Sequence, residues 1–477
     1  MVALFALVSL SGVPVDAAFE RDWAAAQVVP APAAHELLIY RRLVLGLCGT
    51  VPSLEELRAF EADARADRLE RALDRLLDDG RFHRSFAERL ARVFVGTQRG
   101  AFLVYRRDRF VDWLETELRR NTPYDQLVRS MVTARGVWTG SPATNFVTSA
   151  VVDGTVDADL LASRTARAAL GLRLDCAQCH DHPFADWSQA QFKGLAGFYA
   201  GLEVGGLGVV QREATGAAPY GTAWVPQTGE PRERLAAWLT DPHNVRFSRA
   251  AVNRVWGVLA GRPLVEPGDD VPLNAGGEAL AALANGFVEH GHDLRWLVRT
   301  IARSKAYRLS SELPATADRP ALEKVWAVFA LSPLRPEQLA GALLQAASVR
   351  TVDLDSHLAV RVLRVLRETE FVEAYGDSVD DALAAKNATV SQALLRMNGE
   401  LPHELLGANP FSAVGRIAAL ARSDADALDA IFLSFFSRRP EAHEREALEP
   451  MLAVERGRGA EDVAWALFNS PELLWNH

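Results

Sequence analysis

Two of the chain's three cysteines stand three positions apart and are followed at once by a histidine, in the run Leu174-Asp175-Cys176-Ala177-Gln178-Cys179-His180-Asp181-His182-Pro183-Phe184. Thiols at this spacing can add to the two vinyl groups of a porphyrin as thioethers. A histidine directly after them is aimed at the iron as an axial ligand. Cys176, Cys179 and His180 are therefore expected to hold a c-type haem, with His180 on the haem iron. Three other readings use the same residues. A zinc or iron site could recruit Cys176, Cys179, His180 and His182, although ligands this close in sequence rarely close a tetrahedron without more distant partners. A dithiol–disulfide couple usually opens a helix in a strand–helix unit, and no such unit is evident here. The last is an incidental pair of buried thiols.

His182 is expected beside the cofactor rather than trans to His180. It would contact a propionate or support the ligand, with Asp181 able to orient a ring nitrogen; equally, it can be a turn residue ahead of Pro183. Phe184 and Trp187 would supply apolar cover or simply join the core. The sixth ligand stays open among Met131, Met397, His243, His290, His292 and His403, where methionine would raise the potential relative to histidine. Cys48 ends an apolar run that begins at Leu43, and is expected to be a buried structural thiol. The loop acids Glu266, Asp269 and Asp270 could take a cation or an arginine, but solvated carboxylates are the simpler expectation. No G-x-S-x-G, H-E-x-x-H or phosphate-loop pattern occurs.

The elements that must position these residues read as mainly α. Ser53-Leu54-Glu55-Glu56 is a capping box, and the apolar positions Leu57, Phe60, Leu69, Leu73, Leu76 and Leu77 keep helical spacing up to a stop at Gly80. A helix is expected from about Arg106 to Pro123, and another from Leu160 to His180 that leads into the cysteines and ends at Pro183. Glycines crowd the stretch from Gly194 to Pro231. There, Val209-Val210-Gln211 and Thr222-Ala223-Trp224-Val225 read as pieces of a small β-hairpin. Helices resume over Pro231–Leu239, Ser248–Gly261 and Glu278–Glu289, then after Asp293 as an N-cap and after Arg335-Pro336-Glu337. The expected organisation is two helical domains, 18–205 and 236–477, joined by a Gly-rich junction at 206–235 with a small hairpin. No fixed-period repeat suggests a solenoid.

A net charge of -9 among 477 residues offers no basic field for phosphates, so no nucleic-acid partner is expected. Arg41-Arg42, Arg106-Arg107 and Arg119-Arg120 read as solvated helix faces. Three cysteines cannot build a disulfide framework. Residues 1–17 contain the apolar run Val2–Leu10 and small residues that permit cleavage before Ala18, although no Lys or Arg precedes the run. A possible signal peptide and export are expected, with a buried N-terminal segment as the alternative. No run is long and apolar enough for a transmembrane anchor.

Several segments together resemble a known pair of domains. Arg41-Arg42-Leu43 with Gly46 to Pro52, then Asn121-Thr122-Pro123-Tyr124-Asp125, then the cysteine run, look like the planctomycete cytochrome-c-type domain of unknown function, family 1549. Ala251-Val252-Asn253-Arg254-Val255-Trp256, Leu264-Val265-Glu266-Pro267 with Asp269-Asp270, and Leu467-Phe468-Asn469-Ser470-Pro471-Glu472 ending in Asn476-His477 look like its companion, family 1553. Ser391-Gln392-Ala393-Leu394 with Met397-Asn398-Gly399 also fits. The resemblance implies an exported protein of a bacterial envelope, named for a cytochrome-like motif, without an assigned activity. It allows Asn253 and Arg254 to be architectural and His477 to be a ligand. Electron transfer or haem-dependent redox chemistry with a redox partner protein in the periplasm or cell envelope is the leading expectation. A metal-dependent envelope enzyme and a structural or interaction protein are the alternatives.

Overall fold

The computed structural model describes residues 14–97, 104–353, 356–375, 397, 399, 404–410 and 412–477. Residues 1–13 of the expected leader, Ser391 to Leu394, Asn398 and the candidate ligand His403 lie outside the described residues. The described chain is mainly helical, with three short antiparallel strand pairs. Among the described residues no helix is long and apolar enough to cross a membrane.

Local sequence chemistry sets many helix ends. Ser53 and Glu56 exchange side-chain and backbone hydrogen bonds at the start of the Leu54–Ala62 helix, and Asp293 accepts from the Arg295 and Trp296 N–H groups ahead of Leu294–Arg303. Gly80, however, opens a helix instead of ending one. The Asp79 side chain accepts from the Arg81 N–H and starts Gly80–Val95 directly after Arg68–Asp78. The hairpin forms between Leu202–Gly205 and Gly208–Gln211. Thr222–Trp224 is instead a 3-10 turn, because left-handed Gly221 turns the chain and Trp224 folds onto Tyr220 and His243. The Pro14–Ala25 helix begins within the expected leader. Its Val15 and Asp16 are buried, and the Asp16 carboxylate accepts from the Lys305 N–H at 2.7 Å.

The largest correction concerns the segment before the cysteines. The helix expected over 160–180 spans Ala158–Leu170 and ends there. Gly171 adopts φ +58° and its N–H returns to the Ala166 carbonyl, a left-handed cap that stops the helix. A Cβ at Gly171 would lie 3.1 Å from Val271 Cγ2, so the stop is moulded to the second half of the chain.

Helix Val245–Ala260 joins the halves. It packs on Glu36–Cys48, on Ala158–Leu170 and on Gly277–Glu289. Where it meets Glu36–Cys48 the backbones nearly touch, since a Cβ on Gly46 would fall 2.9 Å from Leu259 Cα. Buried apolar side chains from Val15 to Leu473 form one connected cluster across this junction. Arg41 and Arg42 are fully buried within it, not solvated. Arg42 donates to the carbonyls of Tyr307, Leu309 and His477 at 2.7–3.0 Å and stacks over Phe329, while Arg41 donates to the Phe435 carbonyl at 2.8 Å. Main-chain carbonyls thus satisfy part of each buried guanidinium group, while Arg41 Nε and Nη2 and Arg42 Nη2 have no hydrogen-bond partner. Cys48 is buried at the end of its helix, as expected, and burial pushes its thiol up to about 12.

Two tests follow from this packing. Gly46→Val should lower stability by about 2 kcal/mol through overpacking at Leu259, read as a fall in the urea midpoint; an unchanged midpoint would contradict the close approach. Burial, reinforced by Arg295 and Arg119, holds His83 below its ordinary value of 6.5. Burial also lowers His292 against the pull of Asp125. Both favour the neutral ring when folded, so their contribution is present above pH 6.5 and is lost as pH falls below it. The urea midpoint should therefore drop between about pH 7.5 and pH 5.5, and drop less in His83→Gln.

Candidate functional site

Cys176 and Cys179 sit on the 3-10 turn Asp175–Gln178 and its cap, between the Ala158–Leu170 and Gln189–Gly197 helices. A 3-10 turn advances three residues per revolution, so side chains three apart lie on the same side. Both cysteines are exposed, whereas Ala177 between them is fully buried and Leu174 is in the core. The turn is thus nailed down on one side and presents two thiols on the other.

His180 follows, also exposed, with its Nδ1 2.7 Å from the Asp181 carbonyl oxygen. A carbonyl can only accept, so Nδ1 donates here, and Nε2 is the ring nitrogen left outside this hydrogen bond. Ligating histidines are commonly held this way by a second hydrogen bond. Asp181 does orient the ring, through its main chain. Its carboxylate instead accepts from the Gln189 N–H at 2.8 Å, and the Gln189 side chain donates to the Cys179 carbonyl at 2.9 Å. His182 is tied into its own loop. Its N–H donates to the Trp187 carbonyl at 2.7 Å, and its Nδ1 accepts from the Phe184 N–H at 3.2 Å. Trp187 packs on Tyr220, and Phe184 points outward, 93% exposed.

The other candidate ligands have engagements of their own. Met131 is in the core, His290 stacks on Trp296, and His292 is edge-on to Phe247 and Phe287. His243 stacks on Trp224 and pairs with Asp241. Met397 is exposed. His477 holds Arg42 through its carbonyl, and its Nδ1 bonds the Trp475 carbonyl. Among the described residues no three His, Cys, Asp or Glu side chains gather as a metal site. Open clefts of about 610 and 690 Å³ are lined around Tyr40 and Arg75 and around Trp23 and Arg303, without residues of the cysteine turn.

What sequence reading missed is the support behind the turn. Asp175, directly before Cys176, accepts from Ser163 and takes Arg167 at 2.7 and 2.9 Å. Burial opposes its charge, but these hydrogen bonds prevail and hold the carboxyl below its usual range. Arg167 also approaches Asp269 at 4.0 Å, and Asp269 is gripped by Arg173 at 2.6–2.9 Å. Of the two options raised for the loop acids, Asp269 takes the arginine and is no solvated carboxylate; Glu266 stands 3.7 Å from Arg262. Arg254 donates to the Ala168 carbonyl at 2.7 Å and reaches that of Arg167 at 3.4 Å, meeting acceptors left open at the helix end. Asn253 fixes the start of the Asp269 loop through two 2.9 Å bonds with Val265. The Val271 N–H then donates to the Gly171 carbonyl at 2.8 Å. The signal available in sequence was the Asn253-Arg254 pair upstream of the acidic loop, but pairing across about ninety residues is not legible from spacing.

Arg254→Met keeps the stem and removes the donors. It should cost about 2 kcal/mol and speed amide exchange across residues 167–182, read by mass spectrometry. Exchange at the wild-type rate there would refute the clamp.

Residues 14–204 match the family model PSCyt2, a protein of unknown function (DUF1549), and residues 231–357 match PSD1, a protein of unknown function (DUF1553). No curated protein and no solved structure matches the chain. The cysteine turn falls in the first match, and Arg254 and Asp269 fall in the second. The chain thus carries a match to DUF1549 followed by a match to DUF1553, in the order its motifs suggested.

Proposed function

We propose that this chain is an exported redox protein of the cell envelope, carrying one c-type haem on Cys176 and Cys179 with His180 as axial ligand. The observation that carries the reading is the state of His180. Its exposed ring has Nδ1–H committed to the Asp181 carbonyl and Nε2 free, next to two exposed thiols on one side of a braced turn. The donor set fits the group: two thiols for thioether bonds and one imidazole nitrogen for iron. Bound haem would supply one-electron exchange.

The chain's own residues do the rest. Asp181 fixes the plane of the His180 ring, and Gln189 ties the Cys179 carbonyl to the next helix. Ser163 and Arg167 hold Asp175, and through it the start of the turn. His182 serves the loop, leaving His180 as the ligand. Because the turn faces outward, a partner protein can approach the site without opening the core.

The test is expression of the full chain in a host with haem-maturation machinery, followed by denaturation, pyridine-haemochrome absorbance and metal analysis. The proposal predicts one denaturation-resistant haem, absent from Cys176→Ala/Cys179→Ala and retained in His182→Ala. Stoichiometric zinc or iron without haem would replace it with the metal-enzyme reading. Neither haem nor metal would leave the interaction-protein reading.

A further inference from the structure

We propose that the cleft of about 610 Å³ bordered by the Glu36–Cys48, Leu54–Ala62 and Arg68–Asp78 helices binds a small hydroxylated monocarboxylate, with Tyr40 and Arg75 holding its carboxylate. The inference goes beyond the haem reading, since no residue of the cysteine turn lines this cleft.

Tyr40 is only 5% exposed, and its ring stacks on Phe60 with centroids 4.8 Å apart. It lines the cleft, and its hydroxyl has no hydrogen-bond partner among the described residues. A nearly buried polar group left this way costs free energy unless water or a ligand meets it. Burial first, and Glu56 after it, push the phenol above its ordinary value of 10.0, so at neutral pH the group stays an O–H donor. Arg75 stands in the last turn of Arg68–Asp78 and lines the same cleft. It makes no hydrogen bond or ion pair among the described residues, and its charge reaches Tyr40 through space. Two unengaged donors thus border one space, and what they lack is an acceptor.

The surrounding charges select that acceptor. Glu56 and Asp79 hold Arg81 at 2.5 and 2.7 Å, and Asp63 holds Arg65 at 2.7 Å. With Asp353, which accepts from the Ser356 N–H at 3.1 Å, the lining carries four carboxylates against Arg65, Arg75 and Arg81. A dianion such as phosphate is repelled by that excess more than a singly charged carboxylate, which also matches the planar Arg75 fork. The wall carboxylates keep lone pairs beyond those their present donors use, and these suit the hydroxyl groups of a polyol body. The walls are set without a ligand. The Ser53–Glu56 capping box starts one helix, the Thr351 and Ser53 hydroxyls meet at 2.8 Å, and Arg81 ties Glu56 to Asp79. The volume is ordinary for a small-molecule site. In the other open cleft, of about 690 Å³, the buried Trp23 already gives its N–H to the Val325 carbonyl at 3.0 Å.

The experiment is calorimetric titration of the full chain with gluconate, with glucitol as the neutral analogue and inorganic phosphate as the dianion. Gluconate should bind saturably, glucitol should not compete with it, and phosphate should bind more weakly. Tyr40→Phe keeps the ring and removes only the hydroxyl; Arg75→Gln removes the charge. Each should weaken gluconate binding about tenfold and leave the urea midpoint of the ligand-free protein unchanged, because neither group is bonded in the fold. Arg75→Lys should recover part of the lost affinity. Absence of saturable gluconate binding, equal binding of glucitol, tighter binding of phosphate, or undiminished gluconate binding in both variants would each overturn the proposal. A lower urea midpoint in both variants would assign Tyr40 and Arg75 to the fold and overturn it equally. Cys176→Ala/Cys179→Ala should bind gluconate as the wild type does, so this proposal and the haem reading fail separately.

Discussion

The packing of Val245–Ala260 against helices from the first half is the constraint on which the rest of the molecule depends. At one end of the contact, Gly46 lets the backbone of Leu259 approach to a distance no side chain would allow. Further along, Asn253 and Arg254 turn polar side chains into the interior, where each meets main-chain groups that the helices themselves cannot satisfy. Burying a guanidinium group is costly unless its hydrogen bonds are made. Here that requirement works in the fold's favour, because Arg254 finds its acceptors only if Ala158–Leu170 ends at one place. The end of that helix then fixes where Gly171 turns, where Asp175 lies and which way Cys176 and Cys179 face.

The exposed turn is braced from two sides. Ala177 and Leu174 anchor the turn from inside, and Gln189 and Asp181 brace it from the following helix. Thiols kept in the core, as Cys48 is, are inert because burial disfavours the thiolate. The paired cysteines occupy the opposite environment. Two thiols and an imidazole are held outward on this turn. The outward-pointing Phe184 adds an apolar surface to the same loop.

The helical fold class was legible because its signals are local: the Ser53–Glu56 capping box, the Asp293 cap and the apolar spacing of the long helices. Cysteine economy and a three-residue spacing singled out Cys176 and Cys179 without tertiary knowledge, and the structure places both at the surface. The failures share another cause. Helix propensity carried the expected helix on to His180, but the Gly171 cap and the Val271 contact ended it ten residues earlier. Arg41 and Arg42 read as surface residues because charge usually means solvent; their acceptors are carbonyls of Phe435, Tyr307, Leu309 and His477, hundreds of positions away. Asp269 was noticed, but its partner Arg173 lies across the two halves. Long-range polar pairing was thus the information that local pattern could not supply, and it is also what connects the second half to the site.

The central claim is that the outward turn covalently carries a haem. Intact-mass measurement under denaturing conditions, on full-length protein matured with haem-attachment machinery, tests it most directly. The account predicts a single species heavier than the polypeptide by one haem, with proteolysis confining the added mass to the peptide containing Cys176 and Cys179. A polypeptide of unmodified mass, or haem recovered on any other peptide, would contradict it.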